Sequence, residues 1–78
     1  MEKRPGILRV LHTVSEKDLT PRDDESLFTS GLLDSFALTD FVVGLEKEFS
    51  VKIPDNDMTA RKFDTLLKGE EYLAAKGV

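Results

Sequence analysis

The strongest constraint on the fold is an apolar stripe in residues 35–49. Large apolar side chains recur there at intervals of three and four, which places them on one face of an α-helix; they are Leu38, Phe41, Val42, Leu45 and Phe49. Gly44 lies inside this segment, where glycine costs about 1 kcal/mol relative to alanine. The stripe therefore predicts an amphipathic helix with a core spine of Phe41, Leu45 and Phe49, and with another helix close to Gly44.

The flanking segments predict two further helices and a long loop. Residues 5–15 carry a second stripe, and Pro5 suits a first helical turn. Residues 16–34 lack a helical period, but Leu27, Phe28, Leu32 and Leu33 indicate a loop pinned to the core. After Pro54, the stretch DNDMT predicts one short turn. Asp64 or Thr65 is expected to begin a last helix that ends near residue 76, before Gly77, and buries Leu66, Leu67 and Leu73.

These elements predict one all-α domain spanning residues 1–78. The expected architecture is a small helical bundle with three main helices, one short helix and a long loop between the first two helices. A chain of 78 residues hides only about 60% of the surface its unfolded state exposes. We therefore do not expect a large enclosed catalytic cleft.

Composition removes several classes of function. The chain has no cysteine and one histidine, His12, so disulfides and thiolate metal sites are impossible and we expect no metal centre. The net charge of −4 disfavours nucleic acid and favours basic partners. No apolar run reaches the roughly 18 residues of a membrane span, and the N-terminal segment lacks a leader's cleavage pattern. We therefore expect a cytoplasmic monomer without a membrane span.

The dipeptide Asp34-Ser35 stands where the long loop meets the strongest helix. Either residue could cap that helix, because both side chains accept hydrogen bonds from free backbone N–H groups. Alternatively, Ser35 is exposed at the positive end of the helix dipole, a position that suits a phosphate diester. No base lies near it in sequence, and a hydroxyl without a base is a poor nucleophile. If Ser35 reacts, another protein is expected to activate it.

Acidic and apolar residues follow Ser35 along the same helix. Residues 34–57 contain the whole net charge of −4, and this patch would attract basic partners. We predict partner docking through Asp40, Val43, Glu46 and Glu48, with Phe36 as an exposed aromatic contact. The alternatives are an ordinary solvated helix face and partial burial of Val43 under the loop.

These features together resemble the acyl carrier protein family, which includes peptidyl and D-alanyl carriers. The resemblance rests on LFTSGLLDSF and LEKEFSVKIPD, within residues 27–55, and extends more loosely to residue 74 and the first helix. The family motif is Asp-Ser followed by a hydrophobic residue at the head of helix two. It corresponds here to Asp34, Ser35 and Phe36.

The resemblance implies a role for each motif residue. Ser35 would receive 4′-phosphopantetheine from coenzyme A through a separate phosphopantetheinyl transferase, and Asp34 would help to position magnesium and phosphate in that complex. The thiol of the arm would hold acyl or aminoacyl groups as thioesters, loaded by a ligase and used by a downstream transferase. The chain itself would not be an enzyme. Helix two and the preceding loop would form the docking face, and the bundle interior is a possible shelter for an acyl chain.

Two departures from the pattern of fatty acid synthesis carriers point to a dedicated biosynthetic pathway. Ala37 stands where those carriers commonly have an acid, and Glu46-Lys47-Glu48 replaces a run of three acids. Two other functions are also considered. An unmodified acidic adaptor would explain the bundle but not the exposed serine followed by an aromatic. A hydrolase using Ser35 would need His12 to arrive from the first helix.

Overall fold

The computed structural model describes residues 3–78, and within them every regular element is helical. Helix α1 is Arg4–Ser15 and helix α2 is Ser35–Phe49. A 3₁₀ turn, Asp55–Asp57, leads into the short α3, Ala60–Phe63, and then into α4, Leu66–Ala75. The predicted all-α bundle with three main helices is confirmed. The short turn after Pro54 is also present, whereas α3 was not predicted.

The contact between α1 and α2 depends on two glycines. An added Cβ at Gly44 would lie 2.5 Å from Val10 Cγ1, and one at Gly6 would lie 2.7 Å from Phe49 Cζ. Each glycine therefore admits a side chain of the opposite helix at a distance that alanine would not allow. The predicted helix approach at Gly44 is confirmed, and its partner is α1.

The core is built from side chains of all four helices and of the loop. Fully buried apolar residues include Phe41 and Leu45 from α2, Leu66 and Leu73 from α4, and Phe63 from α3. The rings of Phe41 and Phe63 meet edge to face at 6.3 Å between centroids, a favourable geometry for aromatic pairs. Phe63 thus occupies the centre of the core, although it belongs to the one helix that the periodicity does not reveal.

One core prediction was wrong, and another holds only in part. Leu67 is 42% exposed, because α4 turns Leu66, Gly69 and Leu73 inward. Phe49 is only partly buried, since it packs over Gly6 at the edge of the α1–α2 contact. Truncation of Phe49 should therefore cost less than the roughly 3–5 kcal/mol of a fully buried phenylalanine.

The long loop of residues 16–34 is fixed to the bundle at both of its halves. Arg4 donates to Asp23 at 2.5 Å and to Glu70 at 2.6 Å, and these acceptors raise the pKa of its guanidinium. Further along the loop, Asp64 Oδ1 accepts from Ser26 Oγ at 2.7 Å, and the Asp64 carbonyl accepts from Leu27 N–H at 2.6 Å. With Leu27, Leu32 and Leu33 buried, the prediction of a loop pinned to the core is confirmed.

Candidate functional site

The head of α2 is capped by Asp34. Its Oδ1 accepts from the backbone N–H of Phe36 at 3.0 Å and of Ala37 at 2.7 Å. The residue itself is extended, with φ −136° and ψ −176°, as an N-cap requires. Two of the free N–H groups of the helix are therefore satisfied by Asp34, so capping does not require Ser35.

Ser35 is the first residue of α2 and is exposed. Within residues 3–78, its hydroxyl makes no hydrogen bond to another group of the protein. The hydroxyl stands at the positive end of the helix dipole, where a negatively charged substituent is stabilised. Of the two alternatives for the Asp-Ser pair, the structure selects Asp34 as the cap and leaves Ser35 free.

Phe36 is the most exposed large apolar residue among those described, at 86%. The helix rotates it outward because Leu38, two positions later, faces the core. On the other side of Ser35, Leu32 and Leu33 are buried and hold the loop in place. Ser35 and Phe36 therefore project from a rigid support.

Asp40 and Val43 lie on an exposed face of α2, with Val43 39% exposed. They line a groove of about 490 Å³ between α1 and α2, together with Glu48 and with α1 residues including Arg9 and Val14. The structure thus brings three of the four predicted docking residues to one groove.

Glu46 and Glu48 both make hydrogen bonds to other groups of the protein. Glu46 Oε2 accepts from the backbone N–H of Ile53 at 2.8 Å, which closes the turn after α2. Glu48 Oε2 accepts from Arg9 of α1 at 2.6 Å, and this ion pair raises the pKa of Arg9. The internal bond of Glu46 was missed by the sequence reasoning, because nothing in the local pattern reveals a side chain reaching seven residues ahead.

His12 on α1 contacts the start of the long loop. Its Nε2 lies 2.9 Å from the carbonyl oxygen of Leu19, an acceptor that fixes the ring against the start of the loop. No group of three or more histidine, aspartate or glutamate side chains in residues 3–78 is placed to hold a metal ion. Nor is any helix of this part of the chain long and apolar enough to cross a membrane.

Comparison with known proteins gives one family and a consistent set of relatives. The family model described as "Phosphopantetheine attachment site" matches residues 6–68. D-alanyl carrier proteins of Lactobacillus acidophilus and Lactobacillus helveticus are each 29% identical over 65 residues, covering 83% of this chain and 82% of theirs. The D-alanyl carrier protein of Streptococcus suis is 28% identical over 68 residues, covering 87% of this chain and 86% of its own. No solved structure matches significantly.

Proposed function

The chain belongs to the family of proteins with a phosphopantetheine attachment site, and from this membership we propose that Ser35 is the attachment residue. The protein is a carrier that holds acyl or aminoacyl groups as thioesters on a covalently attached 4′-phosphopantetheine. Carriers of this kind are generally not enzymes, and they work with partner enzymes such as ligases and transferases. The observation that supports Ser35 is its exposed and unbonded hydroxyl beside a helix cap supplied by Asp34.

The residues at the head of α2 fit such an arm. Ser35 projects into solvent, so a long substituent meets no protein atom that it must displace. The positive end of α2 favours the negative charge of a phosphodiester. When attached, the arm supplies a terminal thiol, which provides the sulfur chemistry that a chain without cysteine lacks.

We propose a role for each of the two residues beside Ser35, Asp34 and Phe36. Asp34 keeps the first turn of α2 formed through its bonds to Phe36 and Ala37, and Ser35 takes no part in these bonds. We propose that Asp34 also faces the magnesium and phosphate of the transferase complex, and that Phe36 fits an apolar pocket of the partner.

The attachment residue can be tested by intact mass. The purified chain is incubated with coenzyme A and a broad-specificity phosphopantetheinyl transferase. We expect one phosphopantetheine on the parent and none on Ser35→Ala. Ser50→Gly is the matched control, since it removes a hydroxyl at the other end of α2, at a backbone φ of 53° that suits glycine. Persistent modification of Ser35→Ala, or its loss from Ser50→Gly, would overturn the assignment. An unmodified parent would favour the acidic adaptor.

For the cargo, we propose a small aminoacyl group, with D-alanine as the first candidate. The named relatives are D-alanyl carriers that align with most of this chain. The packed core also supports a short cargo, since Phe41 and Phe63 are fully buried and in contact. A long acyl chain inside the bundle would have to displace such packed side chains, at a cost in packing.

Loading assays distinguish these cargoes. The modified chain is offered to a ligase that activates D-alanine and, separately, to a ligase that activates medium-chain fatty acids. A thioester of D-alanine, with no thioester of L-alanine, would support the proposal. Efficient loading of the fatty acyl group with no loading of D-alanine would contradict it.

For docking, we propose that Asp40, Glu46 and Glu48 attract the loading enzymes and that Phe36 and Val43 make close contact. Glu46 bonds to Ile53 and Glu48 pairs with Arg9, so both carboxylates should attract a partner less strongly. Asp40 is therefore expected to contribute most of the attraction. Exposed charges act chiefly on association rate and are screened beyond about 8–10 Å at physiological salt.

Asp40→Lys therefore tests the charge without breaking an internal bond. We expect slower loading at low salt, with the defect shrinking at high salt. Asp18→Lys, an equal charge change at an exposed residue just after α1, is the control and should load normally. Phe36→Ala should instead raise the dissociation rate of the partner at every salt concentration. If Asp40→Lys and Phe36→Ala both load at the parent rate, α2 is not the docking face.

We also propose that the chain itself catalyses no reaction, acts as a monomer and works in the cytoplasm. Its partners would be a phosphopantetheinyl transferase, a loading ligase and a downstream transferase. The charge of −4 and the lack of cysteine support these expectations. Size-exclusion chromatography with light scattering tests the oligomeric state.

A further inference from the structure

A second charged surface lies on α3 and α4 and has the opposite sign to the chain as a whole. It is an open hollow of about 340 Å³, here termed the α3–α4 hollow, lined by Arg61, Lys62, Lys68, Glu71 and Tyr72. Lys76 lies beside the same ring, with its Nζ 5.5 Å from the Tyr72 centroid. Four cations thus gather around one tyrosine in a chain of net charge −4.

Tyr72, which lines the hollow, is held in position by Asp57. The Tyr72 hydroxyl donates to Asp57 Oδ2 at 2.6 Å, and burial together with this bond raises the pKa of Tyr72 to about 12. Lys62 Nζ lies 3.4 Å from Asp57 Oδ1 and 5.8 Å from the ring centroid. Lys76 Nζ also lies 4.0 Å from Asp57 Oδ2, so Asp57 holds the aromatic ring and two of the ammonium groups in place before any partner arrives.

Arg61 and Lys68 are different, because neither makes an ion pair within residues 3–78. Both are exposed. A guanidinium binds a carboxylate through two parallel hydrogen bonds, and an ammonium binds it as a point charge. Within the part of the chain that the structure describes, these two side chains are therefore the cations lining the hollow that have no carboxylate partner.

We propose that the α3–α4 hollow docks an acidic segment of a partner protein, whose carboxylates pair with Arg61 and Lys68. An open hollow does not surround a small ligand as a binding pocket does. Glu71 on its edge repels a uniform polyanion such as nucleic acid or an anionic membrane, but it accepts a single basic residue of a mixed segment. The surface is separate from Ser35 in sequence, and its function does not depend on the phosphopantetheine arm.

The test uses the full chain and a fluorescent peptide rich in Asp and Glu with one central Lys. Anisotropy at low and high salt gives the affinity, and amide chemical shifts give the location. We expect shift changes centred on Arg61, Lys68 and Tyr72. Reversal of both free cations, in Arg61→Glu with Lys68→Glu, should weaken binding roughly tenfold, since each exposed pair contributes little alone.

The matched control is Lys17→Glu with Lys47→Glu, which changes the net charge equally on surfaces outside the hollow. It should bind within roughly twofold of the parent by the same reasoning. If the charge reversal disturbs α4, the neutral double variant Arg61→Gln with Lys68→Gln repeats the test. Circular dichroism checks that each variant is folded. Equal weakening by control and test pairs, or shift changes elsewhere, would overturn the proposal. So would tighter binding of phosphatidylglycerol vesicles or of inorganic phosphate at the same residues.

Discussion

The two ends of α2 differ in how far the protein itself uses their side chains. At the C-terminal end, Glu46 bonds to Ile53, Glu48 pairs with Arg9, and Phe49 packs over a glycine of α1. At the N-terminal end, Asp34 caps the helix, while the side chains of Ser35 and Phe36 are exposed and make no hydrogen bond to residues 3–78. One helix of 15 residues therefore separates a structural end from an end left available for chemistry. Stability and function can be altered independently along it.

The largest expected effect contrasts Phe41 with Phe36. Phe41→Ala should reduce the free energy of unfolding by about 3–5 kcal/mol, because its ring is fully buried against Phe63. Phe36→Ala should change it by no more than about 0.5 kcal/mol. Urea denaturation of both variants measures the difference. Similar losses would mean that the exposed end also supports the fold, and the comparison would fail.

A smaller effect is expected from Gly44→Ala, which places a methyl group against Val10. Overpacking of this kind costs about 1–3 kcal/mol. Gly69→Ala is the matched control, because its Cβ would lie 3.9 Å from Ile7 Cδ1; it should be stabilised by about 0.5–1 kcal/mol through helix propensity. Val10→Ala in the Gly44→Ala background should recover part of the loss. Thermal unfolding measures both variants. A higher melting temperature for Gly44→Ala than for Gly69→Ala would contradict the close approach of α1 and α2.

Next in size is the loss of the Glu46 bond. Glu46→Ala should cost about 1.5 kcal/mol, typical of a hydrogen bond to a charged group, because it leaves the Ile53 N–H without its carboxylate partner. Asp40→Ala, on the exposed face of the same helix, should be close to neutral. Denaturation at pH 7 compares the two. A neutral Glu46→Ala would restore Glu46 to the set of freely exposed docking acids.

The smallest effect distinguishes Asp34 from its neighbour. Asp34→Ala should cost about 1 kcal/mol through loss of the N-cap, and Asp34→Asn should retain most of it. Ser35→Ala should be nearly neutral, since its hydroxyl caps nothing. Urea denaturation compares the variants. If Ser35→Ala lost more stability than Asp34→Ala, Ser35 would be the cap, and the assignment of a free Ser35 hydroxyl would be wrong.

The elements with long periodic patterns were predictable from sequence. The bounds of α2, the pinned loop and the close approach at Gly44 all follow from side-chain spacing or from the cost of an interior glycine. The motif at Asp34 and Ser35 was also visible, although local chemistry allowed either residue to cap the helix. Only the hydrogen bonds to Phe36 and Ala37 decide between them.

The features that could not be predicted from the sequence depend on tertiary contacts. Helix α3 is four residues long, too short to show a period, so its central core residue Phe63 was overlooked. Leu67 and Phe49 were assigned to the core because apolar character does not specify rotation at the end of a helix. The bond between Glu46 and Ile53 spans a turn whose geometry is set by packing.

The cap supplied by Asp34 has a consequence for how the carrier is used repeatedly. Because the Ser35 hydroxyl donates to and accepts from no other group in residues 3–78, a substituent on its oxygen removes no bond that the folded state requires. Such a substituent is present in the folded and unfolded chains alike, so its linkage to the folding equilibrium is expected to be limited to the favourable interaction of its phosphate with the head of α2, about 0.3–1 kcal/mol. Attachment of the arm should then raise the melting temperature only slightly, and loading of the arm with cargo should leave it nearly unchanged. Partner enzymes would have to distinguish these forms by the arm and its cargo, since the fold would present the same surface to each of them.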